Sequence, residues 1–185
     1  SVKIAGGKGD LKVIQTKTFA LNGEKSLRVK AIFGDVQIQP GSSSEVKVII
    51  SGNDKAVEKV DFNLSQDGEE VLIEVEKKGS GLFWSSNNAR LHFEITAPAD
   101  FDVDVSSAGG DLLVKGVNGN INLTTAGGDI RLKESSGDIK VSTSGGDVSI
   151  ETTNGNVKAA TSGGDISGNI HAGRLSAKTS GGDIN

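Results

Sequence analysis

Five aspartates recur at a spacing of eighteen: Asp111, Asp129, Asp147, Asp165 and Asp183, each directly after a Gly-Gly pair. Carboxylates stacked on one edge repel one another, and a cation could relieve that repulsion. The calcium-binding β-roll also has a nine-residue unit, but its loop reads Gly-Gly-x-Gly-x-Asp. Here the third glycine is missing and Asp follows the pair at once, so no metal is expected. Each Asp is expected to cap its own corner by accepting backbone N–H groups, which Asp does readily at turns. Thr125, Thr143, Thr161 and Thr179 share the spacing of eighteen and should form a structural ladder of hydroxyls.

The cations are the second group with chemistry to offer. Lys140 and Lys158 are eighteen apart and should be neighbours on one face, with Lys178 nearby; Arg131 and Lys133 should lie on the opposite face. Such residues could attract anionic glycans or phosphates. More often such residues are solvated outer positions that keep strand edges from aggregating. Leu82-Phe83-Trp84 sits in a polar loop, so Phe83 and Trp84 are either a partner contact or a plug folded back onto the core. His92 and His171 have no metal-ligand spacing around them. There is no nucleophile elbow, phosphate-binding loop or acid/base constellation, so no catalytic residue and no cofactor is expected.

The elements that must hold these columns follow from a shorter period. From Gly110 to Gly182 a glycine falls every nine residues, alternately doubled and single. After it comes apolar–polar alternation, as in Asp129-Ile130-Arg131-Leu132-Lys133, the signature of a short half-buried strand. Glycine is expected there because a sharp corner needs φ > 0. Two arrangements fit nine residues per strand: a parallel coil with two strands per turn, or an antiparallel meander. The period of eighteen favours the coil, in which residues eighteen apart stack about 4.8 Å from one another. The expected fold is therefore all-β, a parallel β-helix or β-roll-like solenoid of nine-residue units, about eighteen residues per coil. Residues 106–185 are the regular repeats. Residues 1–105 are a less regular β region that caps or extends them, since the open end of a solenoid must be covered.

Within that region several turns are legible. Asn22-Gly23 reads as a hairpin turn between strands near 10–13 and 26–31. Asp67-Gly68 reads as another, and residues 54–60 as one helical turn capped by Asn53 or Asp54. Gly34-Asp35-Val36-Gln37-Ile38-Gln39-Pro40 looks like an early copy of the repeat, 76 residues before Gly110 and so out of phase.

Composition sets the remaining limits. The chain has 185 residues, 35% hydrophobic, with 26 Gly and a net charge of -4. A mild negative charge argues against nucleic-acid binding. There is no Cys, hence no disulfide or thiol chemistry, and no apolar run of membrane-span length. The chain opens at Ser1 without Met, which suggests a removed leader and export. It stops at Asp183-Ile184-Asn185, two residues into a new strand, so either it has been cut short or the last rung meets another chain and self-associates.

Gly34-Asp35-Val36-x-Ile38-x-Pro40, then Ala97-Pro98, Val103-x-Val105 and the repeated Ser/Thr-x-Gly-Gly-Asp-Ile-x-Val, resemble a bacterial family of candidate adhesins. It is similar to the "head GIN" adhesin-like domains common in Bacteroidetes. The resemblance implies a right-handed β-helix-like fold, export to the cell surface, outer membrane or periplasm, and adhesion. The expected function is a non-enzymatic scaffold that binds a surface glycan or a protein through repeated outward side chains. The alternatives are an envelope stress or signalling module that binds a protein partner, and a glycan-active β-helix enzyme.

Overall fold

The computed structural model describes residues 11–79 and 88–185. Among them are fourteen strands and one short helix: β1 (Lys12–Ala20), β2 (Ser26–Ala31), β3 (Asp35–Pro40), β4 (Glu45–Gly52), α1 (Asp54–Lys59), β5 (Val60–Gln66), β6 (Glu70–Lys77), β7 (Leu91–Ala97), β8 (Asp102–Ser107), β9 (Leu112–Lys115), β10 (Ile121–Thr125), β11 (Ile130–Lys133), β12 (Ser136–Thr143), β13 (Val148–Thr161) and β14 (Ile166–Thr179). They form one continuous sheet, bent into a nearly closed, solenoid-like shape with two stacks of strands.

In the regular part the pairing is parallel and steps by eighteen residues. Ile130 pairs with Val148, and Ile121 with Ile139. The columns inferred from the sequence are therefore columns of direct neighbours, and the meander is excluded. β9, β11 and the first part of β13 build one stack; β8, β10, β12 and the second part of β13 build the other. β13 and β14 run through both stacks, which joins them. Alternate side chains point inward, so Ile130, Leu132 and Ile150 meet Leu123, Ile139 and Val141 in one buried cluster. Burying each such side chain contributes about 1.5–3 kcal/mol.

The early Gly-Asp copy has a structural explanation. β2 pairs with β8 and β3 with β9 in the same parallel register as the later coils, as Arg28 with Asp104 and Val36 with Leu112 show. Both steps are 76 residues instead of eighteen. The excess of 58 residues holds β4, α1, β5, β6 and β7, inserted within what would otherwise be one coil. The insertion extends both stacks, with β7 and β4 beyond β3, and β6 and β5 beyond β2. It mixes antiparallel pairs with parallel ones and carries Phe93 fully buried.

Two local expectations hold and two need correction. β5 and β6 form the Asp67-Gly68 hairpin, and α1 is capped by Asn53, whose Oδ1 accepts the Ala56 N–H at 3.1 Å. Asn22-Gly23, however, is not a hairpin. β1 pairs antiparallel with β4, while β2 pairs with β6 and β8 in the other stack. The alternation of 12–20 and 26–31 fits either stack, and only packing decides that the turn crosses between them.

The second correction concerns glycine. Gly137, Gly155 and Gly173 do have φ of +126°, +116° and +125°. Gly128, Gly146, Gly164 and Gly182 do not adopt positive φ. They are glycine because successive corners stack too closely for a side chain. A Cβ on Gly146 would overlap the carbonyl oxygen of Gly128, and one on Gly164 that of Gly146.

Candidate binding groove

On the outside of the stack built from β2, β8, β10, β12, β13 and β14, outward side chains fall into two rows. One row runs Arg28, Asp104, Asn122, Lys140, Lys158, Ser176. The other runs Ser26, Asp102, Asn120, Asp138, Asn156, Arg174. Each step is one strand, hence about 4.8 Å. Both rows line a single groove of about 920 Å³ that crosses the strands, with Glu70 at one end.

The charge along the groove is not uniform. At the β2 end, Arg28 Nε lies 3.4 Å from Glu70 Oε2, which leaves Asp102 and Asp104 as the net charge. Asp102 Oδ1 also accepts the Asn120 N–H at 2.8 Å, so this carboxylate holds the corner of the next coil while facing the groove. At the β14 end Lys140, Lys158 and Arg174 are exposed, and none makes an ion pair with a described residue. Asp138 is the one acid among them in the lining.

The structure therefore brings together some of the expected site residues and separates others. Lys140 and Lys158 are direct cross-strand neighbours in the groove. Lys178 pairs with Ala160 on the same stack but does not line the groove. Arg131 lies in the opposite stack between Leu113 and Ser149. Lys133 is beside it, with its Nζ 3.5 Å from Glu151. The five cations are thus not one patch. Arg174, which directly follows the corner glycine Gly173, also belongs to the site. Its signal was readable: it replaces the Asn or Asp found at 120, 138 and 156 in the period of eighteen. Phe83 and Trp84 lie outside the described residues.

The Asp column does a different job from the one expected. Asp129 Oδ1 accepts the N–H of Asp147 at 2.8 Å, not an N–H of its own corner. Asp35 does the same for Asp111, Asp111 for Asp129, Asp147 for Asp165 and Asp165 for Asp183. Each carboxylate satisfies a backbone donor one coil further on, so the column is a zipper between coils. This orientation follows from stacking: the nearest unpaired N–H belongs to the next corner. The Thr column does form the structural ladder. Thr143 Oγ1 donates to Gly128 O at 2.8 Å, with Thr125, Thr161 and Thr179 repeating the bond. Among the described residues no group of three or more His, Asp or Glu is placed to hold a metal ion.

Two further features flank the groove's stack. Glu24 is buried where β2 begins. It accepts the Asn22 N–H at 2.6 Å and, through Oε1, Gln66 Nε2 and the Gly68 N–H, both at 2.9 Å. These donors, Asn22 first, stabilise the charged form and lower its pKa to about 2. At the other end β14 pairs with β13, and its only further bridge joins Ile166 to Ile184, among the described residues. Leu175 and Ala177 are half-buried there, whereas their partners Val157 and Ala159 are buried. No helix among the described residues is long and apolar enough to cross a membrane.

Comparison with known proteins adds a frame. The family model Toastrack DUF4097 matches residues 24–185. No curated protein matches the chain. Among solved structures, a candidate cell adhesion protein of Clostridium sporogenes is 15% identical with a TM-score of 0.54, covering 92% of this chain and 97% of that one. A candidate adhesin of Bacteroides fragilis is 14% identical with a TM-score of 0.41, covering 95% and 97%. A candidate lipid binding protein of Parabacteroides distasonis is 10% identical with a TM-score of 0.35, covering 97% and 98%. The first likeness shows a shared fold.

Proposed function

We propose that this chain, which belongs to the Toastrack DUF4097 family, is an exported, non-enzymatic binding scaffold of the adhesin kind. Its ligand is an extended polar chain lying in the groove across β8, β10, β12 and β13. The observation that carries this is the register itself. Side chains able to form ion pairs and hydrogen bonds recur at every strand step along one groove. A ligand with its own repeat meets several weak contacts at once, and their joint effect exceeds any one of them. The Asp and Thr columns are committed to holding corners together, which favours a scaffold over an enzyme. We also assign the winding a right-handed sense with two nine-residue sides per coil, because parallel crossover connections overwhelmingly take that hand; a crystal structure would check it.

The test is a charged-glycan array probed with the wild type, a Lys140→Glu/Lys158→Glu variant and an Arg131→Glu variant. Binding to acidic glycans should vanish in the first variant and persist in the second. Equal loss in both, or loss in neither, would remove the groove from the account.

A second reading rests on β14, which pairs with β13 along its length and, among the described residues, meets only the Ile166–Ile184 bridge on its other side. A partner strand, from a second copy or another protein, could add to that side as a further rung. Sedimentation velocity across a concentration series should then show a dimer that an Ala177→Lys variant loses.

A further inference from the structure

The charges of the groove are sorted by position, and that sorting narrows the ligand further than a polar chain. The β8 end carries Asp102 and Asp104, with Arg28 held by Glu70. The β12–β14 end carries Lys140, Lys158 and Arg174 against Asp138. Each end thus has a net charge of two, with opposite signs. A polyanion would be held at one end and repelled at the other, and a polycation would meet the reverse. Only a ligand with both signs, suitably spaced, meets attraction along the whole length. Asp104 lies two strands from Lys140 and three from Lys158. At the inter-strand spacing those separations are about 10 and 14 Å.

We propose that the groove takes a zwitterionic saccharide chain, with an amino sugar over Asp102 and Asp104 and an acidic sugar over Lys140, Lys158 and Arg174. This rests on the groove being the binding site. A saccharide is favoured over a peptide for two reasons. β8, β10 and β12 are paired on both sides, so a peptide lying across them finds no free backbone edge to join. What the groove offers instead are the amides of Asn122 on β10 and Asn156 on β13 and the hydroxyl of Ser176 on β14, which suit sugar hydroxyls. The aliphatic stems of Lys140 and Lys158 supply apolar rails for the C–H faces of the rings. The strand step is also close to the advance of one pyranose ring in an extended β-linked glycan, so successive sugars can meet successive strands.

Three oligosaccharides of equal length test this by calorimetry, in mildly acidic, low-salt buffer where the amines are charged. They are hyaluronan, which is anionic; chitosan, which is cationic; and N-deacetylated hyaluronan, which carries both groups. The expected result is that N-deacetylated hyaluronan binds at least about tenfold more tightly than either of the others. Asp104→Lys should bring hyaluronan level with it, and Lys140→Glu/Lys158→Glu should do so for chitosan. Lys140 and Lys158 are exposed and Asp104 is half-buried; unchanged melting temperatures would show that each variant is folded. If hyaluronan matches the zwitterion in the wild type and both are lost with the lysine pair, the groove stands and the mixed-charge ligand falls. If a peptide of alternating Lys and Glu binds at least as tightly as N-deacetylated hyaluronan, the saccharide class falls. If neither charge reversal changes the binding of any probe, both the groove and its ligand fall.

Discussion

From Asp102 to Asn185 the chain contains no Phe, Trp or Tyr, whereas all six Phe and the one Trp lie before Asp102. The two regions hold themselves together differently. In the coils a thin layer of Ile, Leu and Val is sealed at its corners by three repeated backbone devices. Glycine stacks on glycine, an Asp carboxylate takes the next coil's N–H, and a Thr hydroxyl ties one corner to the carbonyl of the preceding one. In the inserted region the corners are irregular, and larger side chains such as Phe93 fill the space. Where geometry repeats, the backbone can supply much of the specificity. Where it does not, side-chain volume must.

That contrast can be broken by substitution. The largest effect should come from Phe93→Ala, at about 4 kcal/mol, since a fully buried ring is lost. Val141→Ala in the coils should cost about 2 kcal/mol, being a smaller deletion in a thinner layer. Urea unfolding of both variants would measure the difference, and a larger loss at Val141 would contradict the contrast.

Next comes Gly146→Ala, at about 3 kcal/mol, because the new methyl must displace the Gly128 carbonyl. Gly145→Ala, one residue away, should change stability by less than about 1 kcal/mol, since a Cβ there would meet nothing closer than 3.9 Å. The same unfolding experiment reads this pair, and similar values for the two would show that corner flexibility, not stacking, is what glycine provides.

A smaller effect is expected for Thr143→Val. It keeps the shape but removes the hydroxyl that donates to Gly128 O at 2.8 Å and accepts from the Gly146 N–H at 3.4 Å. The loss should be about 1.5 kcal/mol, the cost of leaving such groups unpaired.

The smallest effect sharpens the comparison where Glu24, before β2, holds Gln66 and Gly68 of the inserted region. Glu24 has a folded pKa of about 2, below its ordinary value of 4.5. Its contribution is therefore fully present above pH 4.5 and is lost as the pH falls from there through about 2. Melting temperatures in that window should fall less steeply for Glu24→Gln than for the wild type.

Much of the coil was legible in the residues alone. Ile130 and Val148 were placed as neighbours from spacing, because a strict period leaves the parallel stack few registers to choose from. The Lys140–Lys158 pair was legible for the same reason. Other features were not. Residues 12–20 and 26–31 alternate cleanly, yet alternation marks only a buried side and never names the partner strand. Arg174 could be read as a corner residue until the register put it beside Asn156.

What the sequence determined by itself was the period, and with it the inward columns, the eighteen-residue register and the exposed positions of the lysines. These depend only on distances along the chain. The tertiary structure alone decided which side of a corner each Asp serves, where the 58 inserted residues pack, and which charges share a groove. Those are meetings between residues far apart in the chain. They depend on how stacked backbones approach one another, and no local pattern carries that information.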